Sequence, residues 1–188
     1  MISVAYNIRL ATLKDLDTLV VIENKCFVDG VAEIEQTHRE RIEVFSQGYL
    51  VLEVEDRLVG YISSEIWSTQ NLTDSFFALN HKIKRTHSIE GTILYVSSMG
   101  ILPQYRNLGY GFKLFERLFN NIQSQFPSIT TATLIVGESW IAARKLYTSQ
   151  GFEQVRTIPN FFKGEMPDNG IIMYRNLIDS RDFCNPLD

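Results

Sequence analysis

Residues 92–123, TILYVSSMGILPQYRNLGYGFKLFERLFNNIQ, constrain the fold more than any other stretch. A β-branched and aromatic run, 92–102, halts at Pro103, since proline cannot continue a ladder or an incoming helix. After it come Arg106, Asn107, Leu108, Gly109, Tyr110 and Gly111, then apolar residues at helical spacing: Phe112, Phe115, Phe119 and Ile122. The order is strand, glycine-bearing turn, helix. The first amides of a helix lack intrahelical partners and carry the positive end of its dipole, so an anion can dock there. Gly109 and Gly111 let the main chain approach a bulky phosphate, and Arg106 adds a fixed positive charge.

Two phosphate motifs are excluded by spacing. A Walker A loop needs Lys and then Ser or Thr directly after its last glycine, and here Phe112 and Lys113 follow Gly111. A dinucleotide fingerprint needs a third glycine where Leu114 stands. What remains is R-x-x-G-x-G between a strand and an amphipathic helix. That pattern marks either a diphosphate seat or a tight turn whose glycines serve geometry alone.

Residues 99–111, MGILPQYRNLGYG, resemble the acetyl-CoA-binding core of the GNAT superfamily of N-acetyltransferases. Ala143, Arg144, Lys145, Leu146 and Tyr147, followed by Gly151 and Phe152, are similar to the family's A-x-x-L-Y-x-x-x-G-F helix and next strand. The two segments occur in family order and spacing, and the resemblance extends from Ile8 to about Leu177. It implies an α/β (α+β) fold: a mixed, mostly antiparallel sheet of six or seven strands, splayed at its centre, with about four flanking helices. It also implies acetyl-CoA as co-substrate. The cofactor-binding residues it points to are Met99, Gly100, Ile101, Arg106, Asn107, Leu108, Gly109, Tyr110, Gly111, Ser139 and Ala143. Backbone groups around Met99 and Ile101 would pair with the pantetheine arm as an added strand would, with Gly100 allowing close approach. Trp140 stands where the family usually has Asn.

Composition agrees with one enzyme-sized domain, 1–177, and a polar tail, 178–188. A chain of 188 residues with 45% hydrophobic content buries one substantial core. No apolar run reaches membrane-spanning length, and the N-terminus lacks a signal peptide's features, so cytoplasm is the expected location and no membrane partner is expected. Net charge of −4 weighs against nucleic acid and suits a cationic acceptor. Cys26 and Cys184 are too few for a disulfide framework and have no metal-type spacing, so no metal is expected and Cys26 reads as a small buried residue. The expected assembly is a monomer or homodimer.

In chain order, 6–11 reads as a strand, Thr12 as a helix cap with Asp15, and Leu16, Leu19, Val20 and Phe27 as one helical face. A second helix spans about 32–46 with Ile34, Ile42 and Phe45 inward and His38 solvated. The resemblance makes these two helices the walls of the acceptor cleft, with Phe27 in it. A hairpin comes next, 49–55 and 58–67, turning at Asp56 and Arg57. Alternation puts Leu58, Ile62 and Ile66 on one face and Val59, Tyr61, Ser63, Glu65 and Trp67 on the other. Glu65, flanked by Tyr61 and Trp67, is either a holder or relay for a protonated amine or a solvated or Arg-paired strand residue. The connection 68–91, with its basic patch, is longer than usual and reads as a lid, a clamp near the phosphates or a mobile excursion.

The central strand alternates Tyr95, Ser97, Met99 and Ile101 against Leu94, Val96, Ser98 and Gly100. Within the superfamily, residues 56–67 and the central strand look nearest to arylalkylamine N-acetyltransferases. Those enzymes carry two relay histidines where Tyr95 and Ser97 stand, and neither replacement titrates near neutral pH. Ser139 can cap the helix bearing Ala143. By resemblance Tyr147 protonates the departing thiolate, a role a hydroxyl can fill; the competing reading is a tyrosine that only packs, its hydroxyl satisfied by a neighbour. The implied reaction is direct acetyl transfer to a primary amine, a small molecule by first reading, within a ternary complex. Glu65 acting through water is the first choice of base, with Ser97 orienting that water; Tyr61, Trp67 and Tyr95 complete the acceptor wall. A protein N-terminal or lysine acetyltransferase, or a non-catalytic acyl-CoA-binding module, are the other readings.

Overall fold

The computed structural model describes residues 5–68, 73–164 and 166–178. In chain order these form β1 (Tyr6–Leu10), α1 (Leu16–Cys26), α2 (Glu35–Val44), β2 (Tyr49–Val54), β3 (Arg57–Trp67), α3 (Ile83–Thr86), β4 (Ile93–Ile101), α4 (Tyr110–Gln125), β5 (Thr131–Gly137), α5 (Ile141–Ser149), β6 (Glu153–Phe162) and β7 (Asp168–Asn176). The strands make one seven-stranded sheet in the order β1-β2-β3-β4-β5-β7-β6. Only β4 and β5 run parallel, and they pair over just three positions, Ile93–Tyr95 against Thr131–Thr133. Beyond Tyr95 the two strands part, so the sheet is splayed at its centre as the resemblance implied. Five helices flank it, one more than expected.

α4 covers one face because Leu114, Phe115, Leu118, Phe119 and Ile122 form an unbroken stripe, all buried against Ile62, Ile66, Leu94 and Val96. Phe112, expected in that stripe, is 50% exposed; it lies at the margin of the stripe in the helix's first turn. α1 covers the opposite face with Leu16, Leu19 and Ile22 against Tyr49, Val51 and Tyr61. The chain enters α1 through the expected Thr12 and Asp15 capping box, the Thr12 amide donating to the Asp15 carboxylate at 2.8 Å. In α2, Ile42 and Phe45 point inward, but Ile34 sits at the helix entrance and is 59% exposed. The β2–β3 turn falls one residue earlier than expected, at Glu55 and Asp56, whose φ of 51° and 59° suit a two-residue hairpin turn.

Two bulges overturn the strict alternation expected of β3 and β4. Between Leu52 and Glu53 the register slips past Val59, so Val59 joins Ile62 and Ile66 while Leu58 packs on Tyr61's side. Between Ser63 and Ser64 it slips past Ser97, since Ser63 pairs with Ser98 and Ser64 with Val96. A bulge puts one extra residue into a strand and re-aims the side chains beyond it. Met99 and Ile101 therefore share the α4 face with Leu94 and Val96, and Ser97 and Ser98 both reach toward β3 hydroxyls.

The long connection is an ordered cover where it is described. Phe77 and Ile83 are 1% exposed, and Phe77 packs edge-on against Trp67 and Tyr95. Lys82, Lys84 and Arg85 are exposed and do not line the cavity. Residues 69–72 and the expected tail from 179 onward, Cys184 included, lie outside the described residues.

Candidate active site

The parting of β4 and β5 opens a cavity of about 930 Å³. At one side it meets the entrance of α4. Asn107 (φ 62°) and Gly109 (φ 80°) take left-handed backbone there, and Gly109 caps the helix with its carbonyl accepting from Lys113 at 3.2 Å. The amides of the first helical turn have no acceptor within the helix, and a Cβ on Gly109 would meet nothing within 4 Å. Gly111 serves packing instead: a Cβ there would lie 2.7 Å from Leu146 Cδ2. Arg106 is spent partly on structure, its Nε donating to the Ile101 carbonyl at 2.8 Å.

Of the expected cofactor residues, Met99, Gly100, Ile101, Arg106, Asn107, Gly109, Tyr110, Gly111, Ser139 and Ala143 all border the cavity; Leu108 turns outward, 59% exposed. Two behave differently from expectation. The space over Gly100 is filled by the protein, a Cβ falling 2.8 Å from Tyr61 Cε1 and 3.3 Å from Cys26 Sγ. Ser139 does not cap α5, whose N-cap is Trp140, but donates to Asp168 Oδ2 at 2.7 Å.

Tyr147 borders the cavity from α5, its ring edge-on to Phe115 at 5.7 Å between centroids. Its hydroxyl makes no protein hydrogen bond among the described residues, and burial pushes its pKa up to about 12, so it holds its proton across the working pH range. Ser97 also borders the cavity, 2.8 Å from Ser63 Oγ.

Glu65 does not border it. The carboxylate is fully buried behind β3 and receives Trp67 Nε1 at 2.6 Å, His81 Nε2 at 2.6 Å and the Thr86 hydroxyl at 3.0 Å. Its role is to pin the 73–88 cover onto the sheet, and it has no path to an amine. Trp67 and Tyr95 stack at 4.0 Å within that same buried cluster, and Tyr61 is likewise fully buried, so of the expected acceptor wall only Phe27 touches the cavity. Trp140 and Phe162 join it there, with ring centroids 5.9 Å from Phe27 to Trp140 and 4.7 Å from Trp140 to Phe162.

Sequence reading missed the acids of this site, Glu23 and Glu33. Glu23 was findable: it occupies the inward stripe of α1, four residues after Leu19, where an apolar residue is the rule. Its Oε1 accepts the Glu33 amide at 2.8 Å and its Oε2 the Tyr61 hydroxyl. Burial, with Glu33 nearby, raises its pKa to about 7. Glu33 is held below the usual carboxylate range despite burial because Arg41 grips both its oxygens, Nη2 to Oε1 at 2.7 Å. His38, expected in solvent, is fully buried with Nδ1 2.7 Å from the Tyr49 hydroxyl, and burial lowers its pKa to about 4. Cys26 is only half-buried and borders the cavity, its thiol pKa raised by burial.

Glu23 gives a stability test. A carboxyl raised above its ordinary 4.5 contributes fully below that pH and progressively less as pH rises through about 7. At about 1.36 kcal/mol per pH unit, its ionisation costs the fold about 3 kcal/mol. Glu23→Gln should flatten the decline between pH 4.5 and 7.5 in chemical denaturation; an unchanged slope would remove Glu23 from that titration.

The acetyltransferase (GNAT) family model matches residues 16–152. The chain belongs to the GNAT acetyltransferase family. It is therefore an acetyl-CoA-dependent N-acetyltransferase, and the splayed sheet with its amide-lined helix entrance is the fold that such enzymes share. A curated N-alpha-acetyltransferase of Sulfurisphaera tokodaii is 27% identical over 158 residues, 84% of this chain and 86% of that protein. Among solved structures, the loading GNATL domain of CurA from Lyngbya majuscula superposes with a TM-score of 0.78 at 18% identity, covering 92% of this chain and 98% of that one. Arabidopsis thaliana Naa50 in complex with the bisubstrate analogue CoA-Ac-MVNAL superposes at 0.70 with 19% identity, covering 92% and 99%. The likeness to arylalkylamine acetyltransferases rests on the sequence resemblance alone.

Acetyl-CoA fits what is present: free amides at the α4 entrance, a β4 edge without a β5 partner beyond Tyr95, and a cavity joining both to Tyr147. Valine at Gly109 would strain a φ of 80° in the turn that aims those amides. Gly109→Val should abolish coenzyme A binding in calorimetry while the domain stays folded; retained affinity would reject this seat.

Among the described residues no helix is long and apolar enough to cross a membrane, and no three His, Cys, Asp or Glu are grouped to hold a metal.

Proposed function

We propose that this enzyme acetylates the α-amino group at the end of a peptide whose first residue is apolar. The observation that carries this reading is the bridged mouth of the acceptor side. The tip of the β6–β7 hairpin rests on the α1–α2 loop, so that a Cβ on Gly30 would lie 2.7 Å from the Lys163 carbonyl and one on Gly164 3.1 Å from the Asp29 carbonyl. Val28, Val31 and Phe162, which flank this contact, line the cavity, so a bridge at that end favours a chain end over an amine projecting from the middle of a backbone. The cavity walls there, Phe27, Val31, Leu79, Trp140 and Phe162, are apolar, and the acids, Glu23 and Glu33, suit a cationic amine. The N-alpha-acetyltransferase of Sulfurisphaera tokodaii, alike over most of both chains, supports the same acceptor. A small amine on an aromatic body is the second reading, favoured by the cluster of Phe27, Trp140 and Phe162.

Acetyl-CoA supplies an acetyl group already activated as a thioester. In this reading the amides of residues 110–112 and the turn at Asn107 and Gly109 hold its diphosphate, β4 around Met99 and Ile101 aligns its pantetheine arm, and β4 amides steady negative charge at the carbonyl. Tyr147 holds the proton that the leaving sulfur needs.

The test offers the enzyme acetyl-CoA with three acceptors: a peptide beginning Met-Leu with a free N-terminus, an N-terminally blocked peptide with an internal lysine, and phenylethylamine. Coenzyme A release and product mass should report the free N-terminus as much the best acceptor. Preference for the blocked lysine peptide or for phenylethylamine would overturn the assignment.

A further inference from the structure

The bulge at Ser97 leaves two hydroxyls on the cavity, and each begins a hydrogen-bonded chain into the protein. From Ser97 the chain runs to Ser63 at 2.8 Å and toward Arg41 Nη1 at 3.5 Å. It ends on a guanidinium that is always protonated and cannot accept a proton. From Ser98 it runs to the Tyr61 hydroxyl at 2.7 Å, and Tyr61 donates to Glu23 Oε2. This second chain ends on a carboxylate. Glu33 is no rival terminus, because Arg41 occupies both its oxygens.

We propose that Ser98, Tyr61 and Glu23 form a proton relay that deprotonates the acceptor ammonium, with Glu23 the terminal proton acceptor. Ser98 takes the ammonium proton at Oγ and passes its own to the Tyr61 oxygen. Tyr61 passes its own to Glu23 Oε2. The step leaves a neutral amine and a carboxylic acid, with both hydroxyls restored. Glu23 later releases its proton to water.

The surroundings of Glu23 fit a group that changes charge. On α2, His38 Nε2 is buried, has no hydrogen-bond partner among the described residues and lies 3.8 Å from Glu23 Oε2. The other titratable or charged groups around it are Glu33 on the α1–α2 loop, Arg41 on α2, Tyr49 on β2, Tyr61 on β3 and Cys26 on its own helix. The positive charge of Arg41 is committed to Glu33, so among the described residues Glu23 has no counter-ion of its own to lock it in the ionised form. The relay requires only that the acceptor be an amine and does not depend on which one.

The experiment measures kcat and kcat/KM from pH 5.5 to 9.5 for the wild type and for Ser98→Ala, Tyr61→Phe and Glu23→Gln, with the free-N-terminus peptide and with phenylethylamine. At pH 7 each variant should lose on the order of 10²-fold in kcat. The loss should shrink as pH approaches the amine's own pKa, because amine that is already neutral bypasses the relay, while coenzyme A affinity stays unchanged. A loss equal at every pH, or none, would refute the relay. Ser98 is half-buried at the cavity surface, so Ser98→Ala decides the matter even if Glu23→Gln does not fold. Should neither acceptor turn over, the acceptor assignment has failed, and infrared titration still judges the relay. A carboxylic-acid band that disappears as pH rises through about 7 in the wild type and is missing from Glu23→Gln upholds Glu23 as the terminus, and absence of such a band rejects the relay.

Discussion

Tyr147→Phe is expected to lower kcat at saturating acetyl-CoA by on the order of 10²-fold or more, the usual worth of a positioned proton donor. Coenzyme A affinity should hardly change, because the hydroxyl makes no hydrogen bond among the described residues and the ring's edge-on packing against Phe115 and Phe152 survives in phenylalanine. That split is diagnostic, since an interaction made only in the transition state appears in kcat and kcat/KM together and leaves binding alone. Burial has set the hydroxyl's pKa at about 12, well above that of a thiol. It therefore keeps its proton until charge develops on the sulfur, and an alkaline limb of the wild-type pH profile within the working range should not arise from Tyr147. Stopped-flow turnover together with calorimetry checks both parts, and unchanged kcat would remove Tyr147 from the chemistry.

The donor half of the site was legible in the sequence because its signals are local. A glycine at the entrance of an amphipathic helix, the proline that ends the strand before it, and the tyrosine of α5 lie within short segments whose geometry depends on neighbouring residues. The acceptor half was not legible, for two physical reasons. First, register in β3 and β4 is broken by bulges at Val59 and Ser97, and a period-2 argument cannot foresee an inserted residue. Ser98 was therefore assigned away from Tyr95, although it is the hydroxyl that meets Tyr61. Second, the charges there are satisfied across long separations: Tyr61 finds Glu23 38 positions away, and His81 reaches back 16 positions to Glu65. An acid on a central strand invited a catalytic role for Glu65, yet three donors converge on it and none leads to the cavity. An acid in the inward stripe of α1 is the stronger signal, because a helix face that buries Leu16, Leu19 and Ile22 carries an acid only where specific partners hold it, here the Glu33 amide and the Tyr61 hydroxyl.

Arg41→Met is expected to destabilise the fold by about 3–5 kcal/mol, the cost of leaving a buried charge without its partner. Both members of the pair are almost wholly enclosed, with Arg41 2% and Glu33 6% exposed, so water cannot replace the guanidinium. Against a typical domain stability of roughly 5–15 kcal/mol, such a loss brings the protein close to unfolding. The sign of the pH dependence separates this cause from a mere packing defect. In the wild type Glu33 sits below its ordinary 4.5, so its stabilising share is present above that pH and fades as pH falls through the lowered value. Without Arg41, burial outweighs the weaker pull of His38 and His81 on Glu33 and raises its pKa, so the variant should regain stability on acidification as the carboxyl becomes neutral. His38 contributes the opposite trend, losing its share as pH falls from 6.5 toward about 4; Arg41 helps to lower that pKa, so the variant loses less of this share than the wild type and the difference adds to the convergence. Thermal melts of wild type and variant from pH 4.5 to 8 should therefore converge toward the acid end. Glu33→Leu combined with Arg41→Met should recover most of the lost stability, because an apolar pair of similar volume carries no desolvation cost. A constant gap across the pH range, or a double variant no better than Arg41→Met, would mean that Arg41 supports the acceptor wall by shape alone and that Glu33 is not held ionised by it.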